Sequence, residues 1–333
     1  MAKKPSRRHY KRAKKYAKKY PLLTAVIVVL AILAYLVYYF FLGGNTTPAQ
    51  TTKPPHQVSG QVELHMIDVG QGDAILIASE EGYMLIDTGD NTNDSRNALT
   101  SYLQDLGVTT LDWLVLTHPD ADHIGGAEKV LEMCEVENVM LSDITHSSQL
   151  YINMMEAILE SDANIHIVEE KNGEKDTETG NLTASMYHAG DTFSWGEIDY
   201  TILGPISIDQ DDRNNASVVL RMVYGTNSFL LTGDMEKEEE EELLSYFGAE
   251  FFNCDILKVG HHGSGTSSSA ALLAKATPKY ALISCGEGNK YGHPHSEAIT
   301  RLEGANATIY RTDLVGHIVV VSDGTTVSVS TSK

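Results

Sequence analysis

Cysteine is scarce: three in 333 residues, at Cys134, Cys254 and Cys285. An odd number at these spacings fits neither a disulfide framework nor a zinc knuckle, and leaves the three as small apolar residues for packing. No repeat of short period is visible, which argues against a solenoid or a propeller. Positive charge is short everywhere but at the start. Ten of the 25 Lys and Arg fall in the first 42 positions, which hold no Asp or Glu; the remainder sets 15 bases against 45 acids, a net of −30. A surface of that sign repels polyanions on average, which counts against a basic groove gripping long nucleic acid. Any such contact has to be local.

Long apolar runs are absent with one exception, LLTAVIVVLAILAYLVYYFFL, from Leu22 to Leu42. At about 1.5 Å per residue it spans roughly 30 Å, the hydrocarbon thickness of a bilayer. Tyr35, Tyr38 and Tyr39 lie towards its C-terminal end, where amphipathic rings favour the interface. No A-x-A-like cleavage site follows, and there is no lipobox cysteine. The expectation is a retained signal anchor at 22–42, a basic cytoplasmic arm at 1–21, and an extracellular remainder suited to a cell with no outer membrane. Residues 43–60, rich in Gly, Thr and Pro, read as a flexible stalk with His56 inert in it. Residues 61–333 suffice for one substantial core.

Within that domain short apolar strands alternate with turns and occasional helices. Strand patterns run over 62–69, 74–78, 83–86, 111–117, 198–203, 217–224 and 228–232; helical spacing covers 95–106, 153–160 and 235–247. Two facing sheets with helices outside are expected. The acidic run Glu236–Glu242 reads as a solvated helical face rather than a cation site.

Six of the 13 histidines fall in three short loops. The first, THPDADHIGG, follows the strand-like run to Thr117 and sets His118, Asp120, Asp122 and His123 within six positions. Burying such charges unpaired is costly, and a divalent cation removes the cost; the rival is a polar turn with solvated charges. Further candidates stand at other strand ends: Asp234 in LLTGD, the adjacent His261 and His262 in LKVGHHGS, and His293 and His295 in YGHPH.

The first loop resembles the H-x-H-x-D-H signature of the metallo-β-lactamase superfamily, with Asp120 at the second histidine. The ordered set HMIDVGQGDAILI, IDTG, THPDADHIGG, NNASVVLR, LLTGD, LKVGHHGSGTSSS and NKYGHP is similar to the metallo-β-lactamase-like domain of the ComEC family of DNA-uptake proteins. The resemblance implies a four-layer αββα sandwich with metal at one edge. Position by position it implies His118, Asp120, Asp122, His123 and Asp234 as ligands, with His261 next and His262 as its substitute if the pair is reversed. Asn215 and Ser217 stand where the wider superfamily has another histidine, which weakens one of two metal sites. Oxygen donors there suit Mn²⁺ or Mg²⁺, whereas the Asp122/His123/His261 side suits Zn²⁺.

One or two such ions imply hydrolysis by activated water. Asp122 is expected to orient the nucleophile, and His262 and His293 to bind substrate or protonate the leaving group. Asn215, Ser217, Ser264 and Thr266 are substrate-binding candidates, and Asp68, Asp73 and Asp87 braces for the metal loop. His65 reads as packing, His188 as a tempting but unneeded ligand, and His146, His166 and His317 as structural or exposed; His295 stays open. The leading expectation is a membrane-anchored phosphodiesterase or nuclease acting on DNA, beside a separate uptake channel that one span cannot form. The alternatives are a hydrolase of phosphorylcholine or teichoic-acid phosphodiesters, and a metal-bound module without catalysis. A β-lactamase proper is disfavoured by the missing second histidine.

Overall fold

The alternating run after the stalk forms strand β1 (Val62–Met66), whose Val62, Leu64 and Met66 enter one apolar core while Glu63 and His65 face the other way. It is followed by β2 (Ile75–Ala78), β3 (Tyr83–Ile86), α1 (Asn93–Leu106), β4 (Thr110–Leu116), α2 (Ala121–Ile124), α3 (Ala127–Met133), β5 (Glu135–Ser142), α4 (Gln149–Glu160), β6 (Asn164–Val168) and β7 (Ala184–Tyr187). The second half holds β8 (Thr192–Trp195), β9 (Ile198–Gly204), β10 (Val219–Tyr224), β11 (Asn227–Leu231), α5 (Lys237–Tyr246), β12 (Ile256–Lys258), α6 (Ala270–Ala276), β13 (Tyr280–Ile283), α7 (Ser296–Gly304), β14 (Thr308–Arg311), α8 (Thr312–Val315), β15 (Ile318–Ser322) and β16 (Val327–Thr331). This computed structural model describes His56, residues 58–171 and residues 184–333. The expected basic arm, the expected membrane anchor and most of the expected stalk lie outside the described residues. Among the described residues no helix is long and apolar enough to cross a membrane.

Two mixed sheets result, in the orders β16-β15-β1-β2-β3-β4-β5-β6-β7 and β14-β13-β12-β11-β10-β9-β8. Their facing sides interdigitate: Leu64, Met66, Ile75, Met84 and Val115 pack with Tyr200, Leu220, Phe229, Leu231 and Ile256. Outside the first sheet, Leu76, Leu85, Leu114 and Val139 meet Leu99 and Leu103 of α1, Val130 of α3 and Met154 of α4. Outside the second, Leu230, Leu257 and Ala281 meet Leu243 of α5, Leu272 of α6 and Leu302 of α7. The layers are therefore helix, sheet, sheet, helix, each apolar face covered by the next.

Two expectations need correction. The stalk does not extend as far as Gly60: Val58 is buried, and the His56 N–H donates to the Leu106 carbonyl at 2.8 Å. His56 also meets Glu63 at 2.9 Å, so it is not inert. The acidic run of α5 is solvated only in part, at Glu238 and Glu241. Glu239 and Glu240 are buried, Glu239 accepting from the Ile206 N–H at 2.8 Å and Glu240 from the Ser269 N–H at 2.8 Å.

Strand direction places the chemistry. β3 and β4 run parallel, as do β11, β12 and β13, so the loops leaving their C-terminal ends gather along one edge of the sandwich. There, His261, His262 and Gly263 follow one another with φ of 47°, 54° and 80°, and Asp87 has φ of 58°. Left-handed backbone at non-glycine residues costs roughly 1–2 kcal/mol each and persists where surrounding structure over-determines it.

Candidate active site

Asp234, at the end of β11, is the centre of the arrangement. Its Oδ2 lies 3.2 Å from His123 Nε2, 3.3 Å from His262 Nε2 and 3.7 Å from His261 Nε2. Asp122 Oδ2 stands 3.4 Å from His262 Nε2, and the His118 and His123 rings are 4.1 Å apart between centroids. Each inner imidazole is fixed through Nδ1. His123 Nδ1 meets Asp87 Oδ2 at 2.8 Å, His262 Nδ1 donates to the Ser284 carbonyl at 2.9 Å, and His118 Nδ1 lies 3.2 and 3.3 Å from the hydroxyls of Thr117 and Ser217. Asp87 is itself held by the Thr117 N–H and hydroxyl at 2.8 and 2.7 Å.

These bonds aim the three Nε2 atoms inward, and there the hydrogen bonding stops. Nε2 of His118, of His123 and of His262 is buried without a hydrogen-bond partner. A buried donor or acceptor left unmade costs about 1–3 kcal/mol, so three converging on one carboxylate call for a common partner. Donor atoms lie within 4.8 Å of one another in the sets His118/His123/Asp234, Asp122/His123/His262 and Asp73/Asp234/His262. Imidazole nitrogens with anionic oxygens suit a divalent cation, and the sharing of His123 and Asp234 leaves room for one ion or a close pair.

The electrostatics agree. Burial opposes ionisation of Asp234, but His123, His262 and Lys258 outweigh it and hold the carboxyl well below its usual range. Burial likewise opposes protonation of His123 and His262, and the facing carboxylates of Asp234, Asp87 and Asp73 overcome it, so both titrate well above the ordinary imidazole range. His118, buried and beside His123, is pushed down to about 4 and stays neutral, as a ligand must.

The family model of the metallo-β-lactamase superfamily matches residues 67–287, a segment that contains every group just described except those of the YGHPH loop. The chain belongs to the metallo-β-lactamase superfamily. Its relatives include ComE operon protein 3 of Bacillus subtilis, 32% identical over 277 residues, covering 78% of this chain and 33% of that protein. Recombination protein 2 of Haemophilus influenzae is 32% identical over 274 residues, covering 81% and 29%. Competence protein ComA of Neisseria gonorrhoeae is 30% identical over 249 residues, covering 75% and 30%. The ComEC-like resemblance read from the motifs stands on these relatives, of whose length this chain spans about a third. Among solved structures, the metallo-β-lactamase fold protein YhfI of Bacillus subtilis is similar with a TM-score of 0.41 at 11% identity, covering 75% of this chain and 96% of that one.

Against the superfamily pattern, His118, Asp122, His123 and Asp234 fall in the donor sets. Asp120 does not: its carboxylate pairs with the Arg213 guanidinium, which supplies the opposite charge in place of a cation. His262 takes the place expected first for His261. The His261 imidazole sits to one side, partly exposed, with Nδ1 on Glu236 Oε1 at 2.8 Å. Asn215 is not at the cluster: its Oδ1 accepts from the Glu236 N–H at 2.9 Å and its Nδ2 donates to Asp212 at 2.7 Å. Ser217 accepts from the Asp234 N–H at 3.1 Å and so orients the central carboxylate rather than facing substrate. Ser264 and Thr266 bond each other at 2.8 Å on the loop after His262.

Asp87 meets His123 Nδ1 through Oδ2 at 2.8 Å. Asp73 does more, joining a donor set with Asp234 and His262. Asp68 lies apart, its N–H donating to His317 Nδ1 at 2.9 Å and its carboxylate 3.7 Å from Lys333. His65 bonds Tyr102 at 2.8 Å, His188 faces Glu169 at 3.2 Å, His146 bonds Ser148 at 2.8 Å and His166 bonds Asn138 at 3.0 Å. His295 Nδ1 accepts from the Gly265 N–H at 2.8 Å.

The sequence reading counts Lys258 only among the bases near the motifs that leave room for a local positive patch, and gives it no role at the donor cluster. Wholly buried, its ammonium lies 2.5 Å from Asp73 Oδ2, 2.5 Å from the Gly233 carbonyl and 3.5 Å from Asp234 Oδ1. The signal was a lone lysine ending an otherwise apolar strand, where a solvated base has no reason to be.

Proposed function

We propose that this domain is a metal-dependent phosphodiesterase acting on DNA at the outer face of the membrane to which residues 22–42 anchor it. The carrying observation is the inward convergence of three buried imidazole Nε2 atoms, none with a hydrogen-bond partner, on the carboxylates of Asp234 and Asp122. Relatives named as competence and recombination proteins support DNA as the substrate class.

A divalent cation on these donors would lower the pKa of water and offset charge developing on phosphoryl oxygen. His118, His123, His262 and Asp234 would hold it, with Asp122 and Asp73 as further oxygen donors. Of these, Asp122 has its side chain 22% exposed while His123 and His262 are sealed, so Asp122 stands at the mouth. Burial resists its ionisation, but the His262 imidazole 3.4 Å away and the charge of His123 keep it a carboxylate far into the acid range. It is placed to orient an attacking water by accepting a hydrogen bond from it.

His262, committed to the cluster, is withdrawn as proton donor. His293 is pushed down to about 4 by burial and by His261, His262 and His295, and its buried Nδ1 has no hydrogen-bond partner. A neutral imidazole there offers a hydrogen bond to a phosphoryl oxygen rather than a general acid at neutral pH. A second reading has its own support. The net charge of −30 beyond Leu42 favours small or envelope phosphodiesters, such as phosphorylcholine or teichoic-acid esters, over long DNA.

The test is metal-stripped protein reloaded separately with Mn²⁺, Zn²⁺ or Mg²⁺, with Asp122→Ala as control. Linear single- and double-stranded DNA are assayed beside p-nitrophenylphosphorylcholine. Metal-dependent DNA cleavage lost in Asp122→Ala is expected. Cleavage of the small ester with DNA left intact would overturn the DNA reading in favour of the second.

A further inference from the structure

The loop between β13 and α7 carries a large aromatic side chain outside the apolar cores. Tyr291 is 50% exposed. Its ring lies near-parallel to that of His293, at 21° with centroids 5.6 Å apart; His293 in turn lies at 30° and 6.1 Å from His262. Three rings thus form a broken stack that leads from solvent at Tyr291 to the donor cluster at His262. The Lys290 ammonium hangs over the outer ring, 4.8 Å from its centroid.

The loop presents this ring rigidly. Asn289 Oδ1 accepts from the N–H groups of Tyr291 and His293 at 3.1 and 3.0 Å, and its Nδ2 donates to the carbonyls of Gly286 and His293 at 2.9 and 2.6 Å. Little ordering entropy would remain to be lost when a flat ligand lands on Tyr291. A cation over the ring disfavours a quaternary ammonium on the same face, and an anion beside the ring suits that cation. The ligand with a π-face next to a negative phosphate is a nucleotide.

We propose that Tyr291 and Lys290 form a stacking subsite for one unpaired nucleobase of a single-stranded nucleic acid, next to the phosphodiester in the cleft. This rests on the phosphodiesterase reading above and narrows it to single strands. Bases in a duplex have their faces covered, whereas an unpaired base offers one to Tyr291 and its phosphate to Lys290. A single aromatic platform with one cation also needs no basic groove, which is how a chain this acidic can take hold of a strand.

The test is fluorescence anisotropy of a labelled single-stranded oligodeoxynucleotide with full-length protein in EDTA, so that nothing is cut. Tyr291→Ala and Tyr291→Leu are expected to bind about tenfold more weakly than wild type, and Tyr291→Phe to bind as wild type does. A base-free oligomer of equal length is expected to bind wild type and Tyr291→Ala alike, and a blunt duplex to bind wild type more weakly than the strand. Equal binding of the strand by wild type and Tyr291→Ala, or no binding by wild type, would overturn the subsite. Cleavage by reloaded protein is then read separately. Strand binding that depends on Tyr291 without cleavage under any metal would sink the phosphodiesterase reading and leave the subsite. Cleavage equally fast in wild type and Tyr291→Ala, with equal binding, would do the reverse.

Discussion

Lys258 allows the sharpest quantitative test, because its partners Asp73 and Asp234 are candidate metal donors. Lys258→Met keeps the length and apolar stem of the side chain and removes the ammonium from Asp73, Asp234 and the Gly233 carbonyl. Removing one partner of a buried ion pair leaves uncompensated charge and costs about 3–5 kcal/mol. For a domain of this size 1 kcal/mol moves Tm by about 2–4 °C, so a fall of about 6–20 °C is expected in EDTA. Asp73 and Asp234 also share a donor set with His262, so a divalent cation can replace the missing charge. Saturation to a hundredfold over Kd stabilises either protein by about 2.7 kcal/mol, and the variant gains more as Asp73, released from Lys258, becomes a full ligand and tightens its binding. Thermal unfolding of wild type and Lys258→Met is measured in EDTA and in excess Mn²⁺, with bound metal counted by elemental analysis. The gap between the proteins should narrow with metal, and the variant should bind at least as many ions as wild type. A gap of equal size in both conditions would refute the reasoning, since Lys258 would then be an ordinary buried pair unconnected to the metal donors.

Three further outcomes follow from the same geometry. In metal-free protein His123 and His262 titrate well above the ordinary imidazole range, so their contribution to stability is full below about pH 6.5 and is lost as pH rises through the raised values. Metal uptake at neutral pH must therefore expel protons, and calorimetry in buffers of different ionisation enthalpy should detect the release; a heat that does not vary with buffer would contradict it. Glu239, raised to about 8 by burial, costs stability as pH climbs from its unfolded value through that range. Glu239→Gln keeps an acceptor for the Ile206 N–H and should gain a few kcal/mol over wild type at pH 9 but little at pH 5, by urea denaturation; a loss at both would refute the assignment. Gly72 sits at φ of 124°, where an added Cβ would meet the Asp122 carbonyl oxygen at 2.3 Å. Gly72→Ala should displace the metal loop and weaken Mn²⁺ affinity at least tenfold while the far-UV spectrum stays native; unchanged affinity would show that the loop can yield.

The parts of this protein that could be read without coordinates are those whose cause is local. Apolar runs located β3, β9 and β11 to within a residue or two, and the alternating run at 62–69 located β1 while overrunning its end by three residues. The loop at 117–126 stood out because four ionisable groups in six positions have few inexpensive explanations, and three of them, His118, Asp122 and His123, fall in the candidate donor sets. Sheet order was not legible. β1 pairs with β15 from Val62 opposite Ser322 to Met66 opposite Ile318, and no pattern near either strand encodes a partner at the other end of the domain. The same limit explains Glu239 and Glu240, whose acceptors are satisfied by Ile206 and by Ser268 and Ser269 from other loops.

Site residues divide along the same line, and the division says what a motif can and cannot carry. Spacing identifies a residue that has reached the site edge but not the direction of its side chain. His261 and His262 are neighbours of identical chemistry, and consecutive left-handed conformations send one to Glu236 and the other to Asp234 and Asp122. Asp120 has the motif position of a ligand and lacks the role, because Arg213, from a loop far along the chain, arrives first. Lys258 stands inside the LKVGHHGS motif with no role implied for it, yet it sits between two carboxylates of the cluster. In each case the deciding partner is remote in sequence and carries the opposite charge or the matching acceptor. The candidate donor set of this centre is therefore a property of how its buried charges are paired, and changing a pairing partner such as Arg213 or Lys258 should alter metal binding as surely as changing one of the donors.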